Sequence, residues 1–554
     1  MNPSVIEIPI TNGFTRWSTK SHPAGTMISI IFVKNYYMDR TENFKQKISA
    51  GYTCQGGAII LGSAMLDGEG VPGALVRLPL KTMNRHGLIA GATGTGKTKT
   101  LQIIAEQLSD NGVPVLLMDI KGDLSGIARP GTSNQHIDKR HAVIGIPWEG
   151  KGSPVEFLSL SDEKGARMRA TVTEFGPVLL SRILELNDIQ AGVVSLAFKY
   201  CDDNGIPLLD LKDFKKVLQY LSNEGKNEIK EAYGAISPTS VSTIMRKIIE
   251  IEQQDADRFF GEESFNVDDL LRVDRNGKGI VSILRLTDIQ DRPKLFSTFM
   301  LSLLAEVYNT FPEVGDAEKP KLVMFVDEAH LIFNEASKAL LDQIETIVRL
   351  VRSKGVGIYF CTQNPTDVPD EILGQLGLKI QHALRAFTPK DRQMITKTAE
   401  NYPESEFYNV PELLTSLGMG EALITALDEK GRPTPLAATL LRAPMSRMDV
   451  LAPDEIDAII GISKLVPFYN REVDRESAFE MLTARIGQQS AVGGRRSDEE
   501  RGRGDRETGR KGEKETPSVF EEISKNPMAR QIGRTLMSEL TRGLFGMLGG
   551  RRRR

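Results

Sequence analysis

The sequence predicts an α/β protein with a mainly parallel sheet, and three observations lead to this fold class. Residues 91–98 read Gly-Ala-Thr-Gly-Thr-Gly-Lys-Thr, a complete G-x-x-x-x-G-K-[ST] pattern, which is typical of a loop between a strand and a helix. Short apolar runs surround this pattern, and several are apolar at consecutive positions, as in strands that are covered on both faces. Helix-like stretches separate these runs, which favours right-handed crossovers between parallel strands.

Phosphate chemistry explains each specified position of the pattern at residues 91–98. Its glycines let the backbone curl so that N–H groups point at phosphate oxygens, and Lys97 adds an ammonium for the β- and γ-phosphates. The Thr98 hydroxyl is placed to hold Mg²⁺. Residues 87–90 can form the preceding strand, and residues 99–108 have the spacing of a helix whose N-terminus favours an anion. The pattern therefore predicts a nucleotide site made of Gly91, Thr93, Gly94, Thr95, Gly96, Lys97, Thr98 and Lys99.

Further apolar runs predict the other strands of the sheet. The runs before the loop lie at residues 58–61 and 74–78. The predicted strands after the loop are residues 113–118, 142–146, 280–284, 322–326, 356–361, 380–384 and 422–426. Between residues 160 and 275 helix-like stretches dominate, which indicates a helical insertion into the core or an ordinary all-helical domain unconnected with the chemistry.

The C-terminal part of the chain changes character twice. Residues 494–515 contain eight Lys/Arg and seven Asp/Glu but no apolar side chain, so they cannot bury enough surface to fold and are predicted to be a disordered linker. Beyond the linker, four aliphatic residues repeat at four-residue spacing among arginines, which predicts a basic amphipathic helix. That helix could pack on the body or on a neighbouring subunit, lie on anionic lipid, or touch nucleic acid. We favour packing or self-association.

These observations divide the chain into seven predicted segments. They are an atypical N-terminal extension (1–54), the phosphate-loop half of the core (55–159), the helical insertion (160–275), the second half of the core (276–450), a C-terminal helical segment (451–490), the charged linker (491–516) and the basic amphipathic C-terminal helix (517–554).

Composition excludes several classes of protein. The 554 residues include 70 basic and 73 acidic side chains, so the formal charge is −3 and contact with nucleic acid would have to be local. The three cysteines are far apart in sequence and suggest neither a zinc site nor a disulfide framework. No run approaches the 18 or so apolar residues of a transmembrane helix. We therefore expect a cytoplasmic protein without a transmembrane segment.

An acidic pair follows the predicted strand at residues 322–326. Asp327 at the tip of this strand would reach the Mg²⁺, directly or through its water shell. Glu328 can polarise the attacking water, since a second carboxylate beside the metal is not needed for binding alone. Residues 327–330 also spell the signature of an RNA-helicase group, but the chain lacks the Ser-Ala-Thr motif of that group, so we expect His330 to be a local hydrogen-bonding residue.

Polar residues follow two other predicted strands and mark the rim of the same site. Gln363 would lie beside the γ-phosphate if its strand neighbours the loop strand, and it could then sense that phosphate. The alternative is a turn amide before a proline. Asp119, Lys121 and Asp123 follow another strand and are expected at the rim.

Phosphoryl transfer also gains from an arginine that meets the developing charge. Arg349, Arg352 and Arg385 are the candidates, and a surface salt bridge is the alternative for each. An arginine far from its own phosphate loop would act only from a neighbouring subunit, most simply in a ring.

Several long motifs in order carry a resemblance to a known family: GATGTGKT, MDIKGDLSG, FVDEAHLIF, RLVRSKGVGIYFCTQNP and LKIQHALRAFTPKD. They resemble the HerA/FtsK-type ATPases, and the match is closest to the bacterial YjgR-like branch of HerA-like helicases. The resemblance covers roughly residues 55–485 and the terminal RGLFGMLGGRRR. It implies a RecA-like phosphate-loop core, hydrolysis of ATP with Mg²⁺, and often a hexameric ring that threads double-stranded DNA.

The resemblance also implies roles for single residues. Lys97 and Thr98 would bind phosphate and metal, Asp327 would hold the metal, Glu328 would activate water, and Gln363 would sense phosphate. Arg385 falls where HerA-like enzymes place an arginine that acts in trans. Two departures are residues 1–54, which do not resemble the usual short start of the family, and the little room before the loop for the N-terminal β-barrel of archaeal HerA.

Three functions remain open from the sequence. We favour an ATP-driven motor on DNA. The second is an ATPase of the same superfamily that moves or remodels protein. The third, a nucleotide switch without motor activity, ranks low because Glu328 is superfluous in a pure binder, and no Asn-Lys-x-Asp motif for guanine is present in the chain.

Overall fold

The computed structural model describes residues 6–10, 13–17, 40–161, 163–290, 292–315, 317–333, 338–473 and 475–499. Its strands are β1 (Ile6–Ile10), β2 (Gly13–Trp17), β3 (Ala58–Leu66), β4 (Glu69–Pro79), β5 (Gly87–Ala90), β6 (Val115–Asp119), β7 (Val155–Ser159), β8 (Ala166–Arg167), β9 (Val281–Arg285), β10 (Leu322–Val326), β11 (Val356–Thr362), β12 (Leu378–Gln381), β13 (Glu421–Thr425) and β14 (Ala437–Leu441).

Helices alternate with these strands. They are α1 (residues 40–51), α2 (Lys97–Asp110), α3 (Gln135–Ile144), α4 (Val172–Ile183), α5 (Asp188–Asn204), α6 (Leu211–Ser222), α7 (Lys226–Ala232), α8 (Pro238–Glu252), α9 (Pro293–Thr310), α10 (His330–Phe333), α11 (Lys338–Val351), α12 (Asp370–Leu373), α13 (Pro389–Glu400), α14 (Val410–Ser416), α15 (Pro453–Gly461), α16 (Val466–Tyr469) and α17 (Ala478–Glu499).

Twelve of the described strands form one sheet in the order β4-β3-β14-β13-β12-β5-β11-β10-β6-β9-β7-β8. The eight strands from β12 to β8 are parallel, and the other four add antiparallel pairs at one edge. One strand, β11, separates the loop strand β5 from the acidic strand β10, which is the order of a RecA-like core. The predicted α/β fold class is therefore confirmed.

The sheet has an apolar layer on each face, because its central strands are buried at every position. One layer joins alternate residues of β6, β10 and β11 to α9, α11 and the helices α4–α8. The other joins the intervening residues of the same strands to α1, α2 and the β3–β4 hairpin. Two covered faces explain why these strands are apolar at consecutive positions.

Five helices, α4–α8, occupy the stretch between β8 and β9. Three of them begin with a capping box, in which the N-cap side chain and the side chain three residues later bond each other's backbone; the N-caps are Thr171, Asn187 and Asp210. The same apolar cluster contains residues of these helices and of the sheet, so this block shares the core of the sheet.

The last part of the predicted N-terminal extension (1–54) contains a helix, α1, at residues 40–51. Helix α1 buries Phe44 and Ile48, and Tyr52 is buried just after it. The Tyr52 hydroxyl donates to the Pro435 carbonyl at 2.8 Å, which ties α1 to the β13–β14 turn. The four-residue spacing of these three side chains is a helical signal that the aromatic and charged neighbours obscured.

One predicted strand is also wrong. Residues 142–146 lie in helix α3 and its C-terminal turn, not in a strand. Asn134 caps the start of α3 by accepting from two backbone N–H groups, and Gly145 ends it in the left-handed conformation with φ of 80°. The Asn134 cap and the Gly145 turn outweigh the short apolar run at residues 142–146. In addition, no strand was predicted where the structure has β7.

The predicted linker begins too early, because helix α17 continues to Glu499 across residues 491–499. The remainder of the linker and the predicted C-terminal helix (517–554) lie outside the described residues. Within the part of the chain that the structure describes, no helix is long and apolar enough to cross a membrane.

Candidate nucleotide site

The phosphate loop lies between β5 and α2 at the carboxyl edge of the parallel strands, as the sequence predicted. Three of its glycines have positive φ: 151° at Gly91, 80° at Gly94 and 108° at Gly96. A Cβ atom on Gly91 would lie 2.5 Å from the Cβ of His382, so a side chain at this position would require the β12 segment to move. The N–H groups of Gly94 and Gly96 have no hydrogen-bond partner among the described residues, and they remain available to an anion.

Lys97 is buried, with 9% of its surface exposed, and its ammonium lies within the loop. Its Nζ donates to the carbonyls of Gly91 at 2.7 Å and Ala92 at 3.2 Å. Burial lowers the pKa of Lys97, and the ammonium of Lys121 lowers it further, whereas Glu328 and Asp327 oppose the shift. The loop therefore holds the Lys97 cation in a space that it shares with both carboxylates.

The other loop residues divide into two groups. Thr93 and Gly94 are exposed at the tip, while Thr95 is buried and its hydroxyl donates to the Ala92 carbonyl at 2.7 Å. Lys99, predicted as part of the site, turns its ammonium away to the Met448 carbonyl at 2.5 Å. Only the backbone of Lys99 therefore remains in the first turn of α2, where unpaired N–H groups favour an anion.

The acidic pair ends the neighbouring strand β10. Asp327 and Glu328 are both buried, with 4% and 5% of their surfaces exposed. Successive side chains of a strand point to opposite faces, but Glu328 has a left-handed φ of 46°, which breaks this alternation directly after the strand. Asp327 Oδ2 is buried without a hydrogen-bond partner. Burial raises the pKa of Asp327 to about 6, although the Lys121 ammonium opposes the shift.

Glu328 has two partners. Its Oε1 forms an ion pair with Lys121 Nζ, and its Oε2 lies 3.1 Å from His330 Nδ1. Burial has the largest single influence on the pKa of Lys121 and would lower it, but the contact with Glu328 and the charges of Asp327, Glu328 and Asp123 together raise it. The sequence placed Lys121 at the rim of the site and His330 in a local hydrogen bond, but it did not predict that both would contact Glu328.

Asp119 shapes the loop that carries Lys121. Its carboxylate accepts from the N–H groups of Gly122 at 2.8 Å, Asp123 at 3.1 Å and Leu124 at 3.2 Å. Burial raises the pKa of Asp119 to about 7, although the N–H groups of Leu124 and Gly122 oppose the shift. Asp119 is therefore turned to its own loop, and it holds the backbone that directly follows Lys121.

Gln363 follows β11, which pairs with the loop strand β5 on one side and with β10 on the other. The register aligns Thr362 with Ala90, so Gln363 lies at the same sheet edge as Gly91. Its side chain is exposed. The sequence predicted a phosphate sensor only if the strand before Gln363 neighbours the loop strand. The pairing of β11 with β5 meets this condition.

The three predicted arginines lie in different places. Arg349 pairs with Glu345 on its own helix at 2.8 Å, as a surface salt bridge. Arg385 is exposed four residues after β12, on the edge of the sheet that carries the phosphate loop. Arg352 is exposed at the opposite edge, just before β11.

Arg352 belongs to a basic cavity of about 800 Å³ at that opposite edge. Its charged lining residues are Lys81, Arg85, Arg349, Arg352, Glu429 and Lys430. Glu429 already accepts from the N–H groups of Gln55 and Gly56, at 2.9 and 2.8 Å. Burial lowers the pKa of Arg352, and the Arg85 guanidinium lowers it further; neither arginine has a carboxylate partner within the described residues. Within the described residues, the opposite edge therefore presents two arginines, Arg85 and Arg352, without a carboxylate partner.

Thr98 and Asp327 fit a Mg²⁺ ion that is also bound by phosphate. A buried carboxylate oxygen without a hydrogen-bond partner, Oδ2 of Asp327, is a ligand type that Mg²⁺ prefers. The described residues contain no group of three or more His, Cys, Asp or Glu that would hold a metal by themselves. Mg²⁺ usually binds through one or two protein groups plus substrate phosphates, so the sparse donor set is suitable.

His382 also belongs to the site, but it was not predicted as a site residue, although it lies within the LKIQHALRAFTPKD motif. It is fully buried behind the loop, and its Nε2 lies 3.0 Å from the Thr100 hydroxyl of α2. Burial lowers the pKa of His382 to about 4, and the Lys97 ammonium contributes. His382 therefore stays neutral and packs the loop against β12.

Comparison with known proteins gives a family match over most of the chain. A family model described as "Helicase HerA-like C-terminal" matches residues 65–554. The DNA double-strand break repair helicase HerA of Sulfolobus acidocaldarius is 22% identical over 360 residues, which are 63% of this chain and 64% of that relative. The protein of the same name from Saccharolobus solfataricus is 23% identical over 381 residues, 67% of this chain and 66% of that relative. The chain thus spans slightly less than two thirds of the length of these curated relatives.

A solved structure gives a weaker likeness. The plasmid coupling protein TrwB in complex with ADP and Mg²⁺ superposes with a TM-score of 0.46 at 15% identity, covering 72% of this chain and 98% of that one. A likeness of this size supports no conclusion about ligand or substrate.

Proposed function

Because the chain belongs to the family of HerA-like helicase C-terminal domains, we propose that it hydrolyses ATP and acts as a motor on DNA. The observation that carries the proposal is the convergence of Lys97 and the Asp327–Glu328 pair at one edge of the sheet. A phosphate loop alone supports nucleotide binding, whereas hydrolysis needs a group that activates water. Adenine is preferred over guanine because the chain has no Asn-Lys-x-Asp motif and the family consists of helicases.

The loop binds the phosphates of ATP. The unpaired N–H groups of Gly94 and Gly96 and the N-terminus of α2 donate to phosphate oxygens, and the Lys97 ammonium moves from the Gly91 carbonyl to the β- and γ-phosphates. Thr93, Thr95 and Lys99 contribute mainly through their place in the loop and the first helical turn. Thr98 and Asp327 hold Mg²⁺, which when bound neutralises phosphate charge and orients the γ-phosphate.

Glu328 is the group that activates water. The oxygen of the water forms a bond to the γ-phosphorus, the bond from that phosphorus to the bridging oxygen of ADP breaks, and the water proton passes to the Glu328 carboxylate. Gln363 at the end of the intervening strand is close enough in register to contact the γ-phosphate and to report its loss.

We propose in addition that the working unit is a ring, in which a second copy completes the site. Rings close by head-to-tail contacts between two different surfaces of the same chain. The phosphate-loop edge and the basic cavity at the opposite edge suit such a contact, because the unpaired Arg85 and Arg352 would meet the triphosphate of the next copy. Arg385, assigned by the resemblance, is the alternative and lies exposed on the loop edge.

Turnover of two single variants tests the chemistry. We expect Lys97→Ala to lose ATP binding and turnover, and Glu328→Gln to bind ATP while turnover falls by about two to four orders of magnitude, the usual worth of a general base. Phosphate release at saturating ATP and the binding of a fluorescent ATP analogue are the two measurements. Full turnover in either variant would contradict the assignment.

Duplex DNA tests the substrate. We expect DNA to stimulate the ATPase of the wild-type chain, and this stimulation to fall steeply with salt because counterions are released when cations neutralise phosphates. The control is the ATPase without DNA in the same salt series. If DNA does not change the rate of turnover at any salt concentration, the proposal of a DNA motor is contradicted. An ATPase that moves or remodels protein would then be the remaining function.

A further inference from the structure

Lys121 contacts the residue that is proposed to activate water. Its ammonium forms an ion pair with Oε1 of Glu328, whose side chain is buried, while the Lys121 side chain is 40% exposed. The two residues follow the neighbouring parallel strands β6 and β10, whose registers align Met118 with Val326. The lysine therefore reaches Glu328 from the solvent side of the carboxyl edge.

The backbone around Lys121 is fixed, whereas the side chain is free to turn. Asp119 accepts from the N–H groups of Gly122, Asp123 and Leu124, which closes the loop on itself. The Lys121 side chain has no described contact besides Glu328. A long, partly exposed side chain on a rigid loop can change partner without a change in the fold.

A second partner for Lys121 lies within reach. Lys97 follows β5 and Lys121 follows β6 at the same carboxyl edge of the parallel strands. Burial lowers the pKa of Lys97, and the Lys121 ammonium lowers it further, as expected for two cations at one edge. The phosphate loop directs the terminal phosphate of a triphosphate to this edge. A γ-phosphate carries more negative charge than one carboxylate, so it competes with Glu328 for the same ammonium.

The contact also restrains Glu328. While the Lys121 ammonium lies on Oε1 and His330 Nδ1 lies 3.1 Å from Oε2, both carboxylate oxygens of Glu328 are in contact with the protein. Glu328 can contact an attacking water through Oε1 only when the ammonium has moved away from it. The arrival of a γ-phosphate would draw the Lys121 ammonium to a new partner and so release Glu328.

We propose that Lys121 is a second phosphate-binding lysine supplied by the same chain, which moves from Glu328 to the γ-phosphate and so frees Glu328 to act on water. This inference rests on the proposed ATP hydrolysis. It assigns recognition of the γ-phosphate, and thus discrimination between ATP and ADP, to a residue outside the phosphate loop. ADP lacks the γ-phosphate and leaves Lys121 on Glu328.

The variants Lys121→Met, which keeps the apolar stem, and Lys121→Arg, which keeps the charge, test the proposal. For Lys121→Met we expect the affinity for ATP to fall about tenfold or more, the worth of one hydrogen bond to a charged group, with the affinity for ADP unchanged. We expect kcat to fall about a hundredfold or more, as when one donor to a developing anion is removed. Lys121→Arg should recover part of both. Lys151→Ala, which removes an exposed ion pair with Asp110, is the matched control and should change neither.

Equilibrium binding of ATP and ADP analogues keeps this test separate from the proposed function. If the wild-type chain does not hydrolyse ATP, the proposed function fails, yet the ratio of the two affinities still tests Lys121. An unchanged ratio in a folded Lys121→Met variant would overturn the inference. Faster turnover in that variant would also overturn it, since Lys121 would then only restrain Glu328.

Discussion

His86 lies buried just before the loop strand, with its imidazole between two strands. Its Nδ1 accepts a hydrogen bond from the Ile358 N–H at 3.0 Å, and its backbone is left-handed with φ of 55°. Burial lowers the pKa of His86 from 6.5 to about 4, so the ring is neutral and can accept this bond. A protonated ring would lose the acceptor and leave a buried charge.

The stability of the chain should therefore depend on His86 below neutral pH. Between pH 6.5 and about 4 the unfolded chain binds a proton that the folded chain excludes, so the free energy of unfolding falls as the pH falls. Asparagine at this position keeps an acceptor, tolerates positive φ and does not titrate. We expect the stability of the wild type relative to His86→Asn to fall by up to ~1.4 kcal/mol per pH unit below 6.5. Urea unfolding of both chains at about pH 7.5 and about pH 5.5 measures it; a pH-independent difference would contradict it.

Among single residues, the sequence predicted correctly those whose position follows from the path of the backbone. The loop pattern located Lys97, and a strand end located Asp327 and Glu328, because motif spacing and strand edges are encoded locally. The contacts of Lys121 with Glu328 and of Lys99 with Met448 depend on rotamers and on segments far apart in sequence. No periodicity carries that information.

Helix α1 was not predicted from the sequence, yet its side chains pack against a distant part of the chain. The Phe44 ring packs edge-on against Phe407 with centroids 5.0 Å apart, and against Tyr408 at 6.1 Å. Lys47 of the same helix pairs with Glu406 at 2.7 Å, and its ammonium lies 5.6 Å from the centroid of the Phe407 ring. The helix thus joins the chain before the loop to the segment that precedes α14.

Truncation of the Phe44 ring should destabilise the fold. We expect Phe44→Ala to lower the free energy of unfolding by about 3–5 kcal/mol, the usual cost of a buried aromatic ring. Gln46→Ala on the exposed face of α1 is the control and should stay within about 0.5 kcal/mol. Denaturant unfolding followed by circular dichroism measures both. Equal effects of the two variants would show that α1 does not belong to the core.

The elements that were predicted wrongly have a common physical reason. Residues 142–146 form an apolar run of strand length, but the Asn134 cap and the Gly145 turn make them the end of a helix. Apolar runs of this length do not distinguish a strand from a buried helix segment, so end signals decide. The long central strands were predictable because two covered faces leave little choice of side chain.

At the scale of the whole molecule, the two edges of the parallel sheet carry different groups. One edge holds the phosphate loop, where Lys97 and Lys121 accompany the carboxylates Asp327 and Glu328, and the other holds the basic cavity around Arg85 and Arg352. A chain with complementary edges is suited to contacts between successive copies.

Mixed assemblies test whether Arg352 acts on the next copy. Arg352→Ala and Glu328→Gln should each be nearly inactive alone, because each removes one half of a shared site. When equal amounts are mixed, on the order of a quarter of the contacts pair an intact Glu328 with an intact Arg352 from the neighbour, so turnover should recover to that extent. The measurement is the ATPase rate against mixing ratio. A mixture of Arg385→Ala with Glu328→Gln is the comparison. If the mixture that contains Arg352→Ala does not recover, Arg352 acts within its own chain.

The left-handed backbone at Glu328 has a consequence for variation at this position. A non-glycine residue in this conformation carries a local strain of about 1–2 kcal/mol, and glycine would relieve it. Glu328→Gly would remove both the strain and the buried carboxylate to which we assign the activation of water. A selection for heat resistance alone would therefore favour a variant without the proposed general base, so thermal stability and turnover place opposite demands on position 328.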